Sequence, residues 1–496
     1  EVAVGEIPWK FESSRPHHLK ARCSERGPKL LGHELCDLLI MRTSNILAFL
    51  LSLVALTIFF VPDPVGVSDG TMRAAGVLLL VLGLLATVAL PEYLTILIFF
   101  FLALVISIAP PQVVFSGFLS GAAWLVFGGM ILGVAIEATG LGARLAGLIE
   151  RLFSQSYLHL VAGTVLIMMV LALLMPSSVG RVTIMLPIIL ALAKRMGFRE
   201  GSNGHAGLIL AVGVGALTPT FSILPASVPN VVMAGAAEAI HGIRFTYNEY
   251  LLLHFPVIGL GTLVILPLVI FWLFPDQVLK KTKNDKPRAL GSGELRLIVV
   301  LTVALVLWAT DSLHGIAPAW VALGAGIFCA LPGVGILPNG LLLPKLNFGP
   351  FIVLAGVIGV GAVVTHSGLG TIVGKYLIAT MQLGEGNDLK TFAGVIGLGW
   401  VLEIITTLPG QPAIMTSFAP TIADATGWQL STVLMAQVPA WTLVLFPYQA
   451  PPLVATRAIS GLEVRKFIKI LFPMALFGWC VMVPLQWLWW TFLGYL

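Results

Sequence analysis

The chain has 496 residues, of which 58% are hydrophobic and 10% are charged, and its formal net charge is +5. This composition excludes a soluble globular protein and indicates a polytopic membrane protein, whose surroundings are the lipid bilayer. The charge excess is small and no cluster combines basic with aromatic residues, so we expect no nucleic-acid partner. Neither a disulfide framework nor a zinc site is expected, because no cysteine pair has metal-ligand spacing: Cys23, Cys36, Cys329 and Cys480.

Residues 1–40 contain six acidic and six basic side chains without helical or strand periodicity, and we expect this extension to be disordered. The first methionine, Met41, directly precedes a membrane segment. The simplest hypothesis is that the preceding residues are an over-extended reading frame or a remnant of an expression vector, because they lack the form of a signal peptide.

The first half, residues 41–274, begins with apolar segments long enough to cross a bilayer, followed by an amphipathic stretch at 141–153. The segment 159–194 is too long for one crossing and is interrupted by PSSVG, which predicts a re-entrant helical hairpin with its tip near Pro176–Arg181. Prolines then predict a break at Thr218–Asn230 within a spanning helix. The simple spans predicted in this half are 45–61, 73–90, 92–109, 122–139 and 251–274.

Residues 275–296 carry six basic side chains, and the positive-inside rule predicts that this linker is cytoplasmic. The second half, 297–496, repeats the order of the first: an amphipathic piece at 369–382, a broken hairpin at 391–426 and a broken span at 430–456. Its simple spans are 297–310, 317–331, 350–366 and a tryptophan-rich segment at 467–494.

An internal repeat is supported by matching motifs in the two halves, namely TGLG at 139–142 with SGLG at 367–370, Pro187 with Pro420, and the pair Pro225 and Pro229 with Pro447 and Pro451. Basic residues flank the first hairpin and mixed charges flank the second. The repeats are therefore expected to be inverted, with about eleven crossings and a cytoplasmic N-terminus. In such all-α architectures, half-helix N-termini face an anion and unwound carbonyls hold a cation, which is typical of a transporter.

The order of these elements, together with LVFGGMILGVAIEATGLG, LWATDSLHGIAPAWVALGAGI and FPYQAPPLVA, resembles the divalent anion:sodium symporter (DASS) family from Met41 to Leu496. The resemblance implies an elevator-type homodimer in a bacterial-type inner or plasma membrane. It further implies that this homodimer transports dicarboxylates, citrate or sulfate, with sodium as coupling ion at the hairpin tips. Its scaffold would comprise 45–109 and 297–331, and its transport parts 122–274 and 350–496.

Each hairpin tip of this family carries Ser-Asn-Thr and faces a Pro-Pro-Asn-like loop. Counting back equally from Pro187 and Pro420 places the tips at 177–179 and 410–412, and the facing loops at 227–230 and 449–452. Neither Ser-Asn-Thr motif is intact, so the coupling ion stays open. The substrate candidates are Ser177, Ser178, Gly180, Arg181, Asn230, Gly410, Gln411, Pro451 and Pro452. The cation or coupling candidates are Ser177, Pro229, Asn230, Gln449 and Glu403.

We interpret Arg181 as the positive charge that sodium would otherwise bring, pairing with the substrate through its planar fork. The alternatives are a structural pair with Glu137 or Glu403, or a side chain that extends to the cytoplasmic surface. Glu403 is either a proton carrier or a structural partner, because an acid inside a membrane segment is a functional candidate.

These observations predict a secondary active transporter of small anions, most simply di- or tricarboxylates or sulfate. A second hypothesis is a sodium-independent carrier, either proton-coupled or an anion exchanger, that uses Arg181. A different class, a channel or a membrane subunit of an export complex, stays open. We expect no enzyme, since no paired-histidine metal motif or GxSxG nucleophile lies in a span.

Overall fold

The computed structural model describes residues 45–63, 68–87, 89–153, 155–175, 177–278, 290–334, 336–338, 340–381, 383–384 and 388–496. All regular structure in these ranges is helical. The predicted disordered extension, Pro176 and half of the basic linker (279–289) lie outside the described residues. Eight described helices are long and apolar enough to cross a membrane, and shorter apolar helices accompany them. The prediction of an all-α polytopic protein is confirmed.

The first half begins with simple helices. They are α1 (Asn45–Phe59), α2 (Thr71–Thr87), α3 (Glu92–Val105), α4 (Gly121–Thr139) and the amphipathic α5 (Leu141–Phe153), with short turns at Pro111–Val114 and Ser116–Leu119. Gly128 allows α4 to pack closely on a helix of the second half, because a Cβ at this position would lie 2.5 Å from the carbonyl carbon of Ala322. Small residues permit such close backbone approach between membrane helices.

The first hairpin consists of α6 (Tyr157–Leu174) and α7 (Ser178–Arg195), separated by Met175–Ser177. Ser177 caps α7, and its hydroxyl accepts a hydrogen bond from the Gly180 backbone N–H (3.1 Å). The broken helix follows as α8 (Asn203–Gly215), two 3₁₀ turns, and α9 (Val228–His241). The helix α10 (Tyr247–Leu273) closes this half.

The second half repeats this order. It contains α11 (Ser292–Ala309), α12 (Pro318–Ala330), α13 (Gly349–His366), α14 (Leu369–Met381), the hairpin α15 (Asp388–Thr426), α16 (Leu430–Met435), α17 (Pro451–Ser460) and α18 (Val464–Phe492), with short turns at Asp311–His314 and Leu342–Lys345. The hairpin breaks at Thr407, whose φ of 64° and ψ of 166° lie outside the helical region. Two 3₁₀ turns, Val438–Leu443 and Pro447–Gln449, separate α16 from α17.

Both predicted hairpins and both predicted broken helices are therefore present, within a few residues of their expected bounds. The two hairpins meet at one cavity, which is the arrangement expected of inverted repeats. The division into scaffold and transport parts and the sidedness of the termini stay predictions.

Candidate functional site

A cavity of about 320 Å³ lies where the two hairpin tips meet the two broken helices. The transport machinery of related architectures is located at this kind of junction. Its walls come from both hairpins, both broken helices and the starts of α3 and α13. The lining residues are Glu92, Tyr93, Ser177, Ser178, Val179, Leu217, Ser227, Val228, Pro229, Asn347, Gly349, Pro350, Val353, Leu408, Pro409, Pro451 and Pro452.

Four helical segments direct their N-termini to this cavity. They are α7 beginning at Ser178, α9 beginning at Val228, the second arm of α15 after Thr407, and α17 beginning at Pro451. A helix N-terminus carries partial positive charge and N–H groups that have no partner within the helix. The convergence of four such termini favours an anion.

The N-termini do not contribute equally. Proline has no N–H, so Pro451 and Pro452 give α17 a positive dipole end without donors in its first two positions. Ser178 and Val179 are ordinary first-turn residues of α7 and provide N–H donors there. The first hairpin therefore provides two consecutive N–H donors, whereas in α9 and in the second arm of α15 a proline, Pro229 or Pro409, follows the first residue.

The described lining residues include no Lys, Arg or His. Polar side chains are the hydroxyls of Ser177, Ser178 and Ser227, with Asn347, Tyr93 and Glu92 on the opposite wall. The remaining wall is aliphatic or proline. An anion in this cavity would be neutralised by helix termini and hydroxyl groups rather than by a direct basic contact.

Arg181 lies behind this wall and is fully buried. One terminal nitrogen, Nη1, donates to the carbonyls of Met175 (2.5 Å) and Ala226 (2.9 Å). The other, Nη2, donates to the carbonyl of Ala216 (3.0 Å) and to the Ser178 hydroxyl (3.0 Å). Met175 follows the end of α6 and Ala216 follows the end of α8, so the guanidinium binds carbonyls that helix ends leave without partners.

The alternative ion pair between Arg181 and an acid is wrong. Glu137 pairs with Lys345 (2.7 Å) and Glu403 contacts Gln449, so both acids have other partners. The alternative in which Arg181 extends to the surface is also wrong, since the side chain is enclosed. In this conformation Arg181 reaches the cavity only through Ser178, whose hydroxyl it contacts and which lines the wall.

Asn230 is likewise buried behind the wall. Its Nδ2 donates to the Ile223 carbonyl (2.7 Å), with longer bonds to Thr220 and Phe221 (3.2 and 3.3 Å), and its Oδ1 accepts from the Ser227 hydroxyl (3.0 Å). The amide thereby binds the carbonyls of the 3₁₀ turns. Neither Asn230 nor Gly180 is among the cavity-lining residues, whereas Pro229 is.

The second tip lies three residues earlier than the count from Pro420 predicts. The break is at Thr407, and Leu408 and Pro409 line the cavity, while Gly410 and Gln411 do not. Equal counting fails because Pro187 follows Ser177 by ten residues whereas Pro420 follows Thr407 by thirteen.

Gln411 is buried and packs toward the broken helix, where its Oε1 accepts a hydrogen bond from Trp441 Nε1 (2.6 Å). Matching the two breaks, Ser177 with Thr407, makes Gln411 the counterpart of Arg181. Both residues reach from the second arm of a hairpin to the unwound segment behind it.

Glu403 and Gln449 also lie outside the lining set. Gln449 Nε2 donates to Glu403 Oε1 (3.1 Å), and both side chains are fully buried. Together with Pro451 and Pro452, which do line the cavity, they connect the second hairpin to the second broken helix.

Sequence reasoning missed the wall opposite the tips. Glu92 and Tyr93 begin α3, and Asn347, Gly349 and Pro350 lie at the start of α13. These segments read as ordinary span boundaries, and only tertiary packing brings them to the cavity. In the described residues no group of three or more His, Cys, Asp and Glu side chains is placed to hold a metal ion.

Known proteins similar to this chain are membrane proteins and carboxylate transporters. The Escherichia coli inner membrane protein YbhI is 27% identical over 62% of this chain and 67% of its own length. The putative malate transporter YflS of Bacillus subtilis is 28% identical, and an Escherichia coli L-tartrate/succinate antiporter is 27% identical. Each of these two alignments covers 39% of this chain, and 43% and 42% of the respective relative.

A solved structure of the Alcanivorax borkumensis YdaH transporter aligns with 86% of this chain and 99% of its own, at 17% identity and a TM-score of 0.49. The family model described as the sodium:sulfate symporter transmembrane region matches residues 42–496. This match confirms the resemblance to the DASS family, and the chain belongs to that family of membrane transporters.

Proposed function

We propose that this protein is a secondary active transporter that binds a small di- or tricarboxylate or sulfate in the cavity between the hairpin tips. The observation that carries the proposal is the convergence of four helix N-termini on one cavity. The names of two relatives, a putative malate transporter and an L-tartrate/succinate antiporter, favour carboxylates.

Alternating access would follow an elevator-type motion of the hairpins and broken helices against a scaffold that forms a homodimer. The cavity supports this proposal because residues of both proposed parts line it. The hairpins, the broken helices, Pro350 and Val353 belong to the proposed transport part, whereas Glu92 and Tyr93 belong to the proposed scaffold helix α3. Sliding of the transport part past the scaffold would carry a bound anion along the membrane normal.

A second candidate function, a sodium-independent carrier, is favoured by Arg181. Unwound carbonyls and helix C-termini are the groups that hold sodium in such transporters. Here the carbonyls of Met175, Ala216 and Ala226 all accept from the Arg181 guanidinium. The Arg181 side chain supplies a fixed positive charge in place of a bound sodium ion. It contacts the cavity wall through its hydrogen bond to the Ser178 hydroxyl.

Uptake by reconstituted protein tests the proposal. Liposomes containing the purified chain would receive labelled succinate, malate, citrate or sulfate, in sodium or in choline buffer. We expect saturable uptake of at least one of these anions. The second candidate predicts uptake in choline within about twofold of that in sodium, whereas strictly sodium-driven uptake would reject it and retain the first. Ohmic currents without saturation would instead support a channel.

A matched pair of variants locates the site. Val179 lines the cavity at the first tip, and Val401 is an exposed residue of the second hairpin. Val179→Trp should fill the cavity and lower uptake at least tenfold, while Val401→Trp should leave uptake near the wild-type rate. Equal uptake by both variants would contradict the proposed site.

A further inference from the structure

Glu403 is an acid enclosed within the second hairpin. It lies on the first arm of α15, one helical turn before the break at Thr407, and no part of it is exposed. The second arm begins at Leu408, which lines the cavity. Four residues of helix span about 6 Å, so the carboxyl group lies behind the tip that faces the proposed substrate.

The hydrogen bonding of Glu403 leaves one oxygen without a partner. Oε1 accepts from Gln449 Nε2 (3.1 Å), and Oε2 has no hydrogen-bond partner among the described residues. The orientation of Gln449 is fixed, because its Oε1 accepts from the backbone N–H groups of Leu445 (2.9 Å) and Phe446 (2.8 Å). The amide can therefore only donate to Glu403, and it satisfies one oxygen.

The groups around Glu403 do not neutralise an ionised carboxylate. Tyr448 is the titratable side chain in electrostatic contact with it, and the Tyr448 hydroxyl donates to the Ile404 carbonyl (3.2 Å). Other titratable groups on elements packed against this hairpin have different surroundings. His241 of α9 contacts the Thr416 carbonyl on the second arm, and Arg73 of α2 lies near Asp63.

The buried ionisable groups of the two hairpins differ in the number of their hydrogen-bond partners. The Arg181 guanidinium has four acceptors, as a permanent charge requires, whereas the Glu403 carboxyl has one donor. A buried carboxylate without a cation is costly, and an added proton removes the charge. The packing around Glu403 accommodates the acid form, with the proton available to Oε2.

We propose that Glu403 is the binding site of a coupling proton, so that the protein carries a proton together with its anion. This inference rests on the proposed function. On one side of the membrane a proton adds to Glu403 Oε2, and on the other side the same O–H bond breaks and the proton returns to water. An anion at the second tip and an ionised Glu403 would repel each other, so anion binding favours the protonated acid and links the two events.

The test uses accumulation ratios in proteoliposomes with the membrane potential held at zero. With the potential at zero, symport of one proton per anion converts a pH gradient of one unit into about tenfold accumulation of the anion. We expect this ratio in the wild type and in Glu137→Gln, whose side chain is half exposed and paired with Lys345. Glu403→Gln carries an isosteric neutral group, and its ratio should fall to about one, whatever its absolute rate.

A second measurement keeps the inference testable if Glu403→Gln does not fold. In the wild type, adding substrate outside proteoliposomes that contain a pH-sensitive dye should acidify the lumen, and an equal pulse of chloride should not. The proton site would be overturned if the accumulation ratio of the anion in the wild type did not depend on the pH gradient, or if Glu403→Gln kept the tenfold ratio. Either result would leave the proposed anion transport intact. Failure of both uptake and anion exchange in the wild type would overturn the proposed function as well.

Discussion

Replacement of Arg181 by methionine should destabilise the protein by an amount that follows from its contacts. Met preserves most of the side-chain length and removes all four donated hydrogen bonds. Ala226 keeps a long bond from the Ser178 hydroxyl (3.4 Å), and Ala216 keeps a shared one from the Thr220 hydroxyl (3.3 Å), which also donates to the nearer Leu217 carbonyl (2.7 Å). Met175 loses a 2.5 Å bond.

A buried acceptor left without its partner costs about 1–3 kcal/mol. The Met175 carbonyl loses its hydrogen bond entirely, and the carbonyls of Ala216 and Ala226 keep weaker ones. Removal of the buried guanidinium also removes the free-energy cost of its desolvation, which offsets part of this loss. We therefore expect Arg181→Met to lower the free energy of unfolding by about 2–4 kcal/mol. Reversible unfolding in mixed detergent micelles, followed by tryptophan fluorescence, measures this loss.

Lys345→Met is the matched control. It removes the ion pair with Glu137, in which both side chains are about half exposed, and such pairs contribute about 0–1 kcal/mol. The freed carbonyls should also make Arg181→Met, unlike the wild type, more stable in sodium chloride than in choline chloride. A loss below about 1 kcal/mol in Arg181→Met, or an equal loss in the control, would refute the role of Arg181 as a carbonyl partner.

Two further predictions concern helix packing and a membrane-external loop. Gly128→Ala places a Cβ 2.5 Å from the Ala322 backbone and should lower the free energy of unfolding by about 1–3 kcal/mol. The control is Gly324→Ala, whose Cβ meets no atom within 4 Å and which should be neutral or slightly stabilising in the same unfolding assay. Backbone N–H groups of Gly70 and Met72 donate to Asp63 (2.7 Å each) and lower its pKa below the ordinary value of 3.8. Its contribution to stability is complete above pH 3.8 and is lost as the pH falls through the lower folded pKa. The melting temperature of Asp63→Asn should thus be below wild type at pH 6 and converge with it at low pH; a constant difference would contradict this assignment.

Local sequence features were sufficient to predict the helices, the hairpins and the broken helices and their order along the chain. Single prolines such as Pro187 and Pro267 stay within helices, but clusters of proline with glycine or polar residues in an apolar stretch, as in PSSVG and the segment 218–230, favour a break. With their counterparts in the second half, such clusters made both hairpins and both broken helices predictable. The position of the second tip was not, because the equal count assumed that both hairpins place their later proline at the same distance from the break. Thr407 has a positive φ, which a β-branched residue rarely adopts, so its residue type did not mark the break.

The sequence by itself determined that this chain is an all-helical membrane protein with two repeats, because hydropathy, helix breakers and paired motifs are properties of neighbouring residues. Tertiary structure alone decided which side chains meet. It placed Arg181 among the carbonyls of Met175, Ala216 and Ala226, Gln449 against Glu403, and Glu92 on the cavity wall. Apart from the bond to Met175, six residues away, these contacts join segments distant in sequence, and local residue patterns carry no information about them.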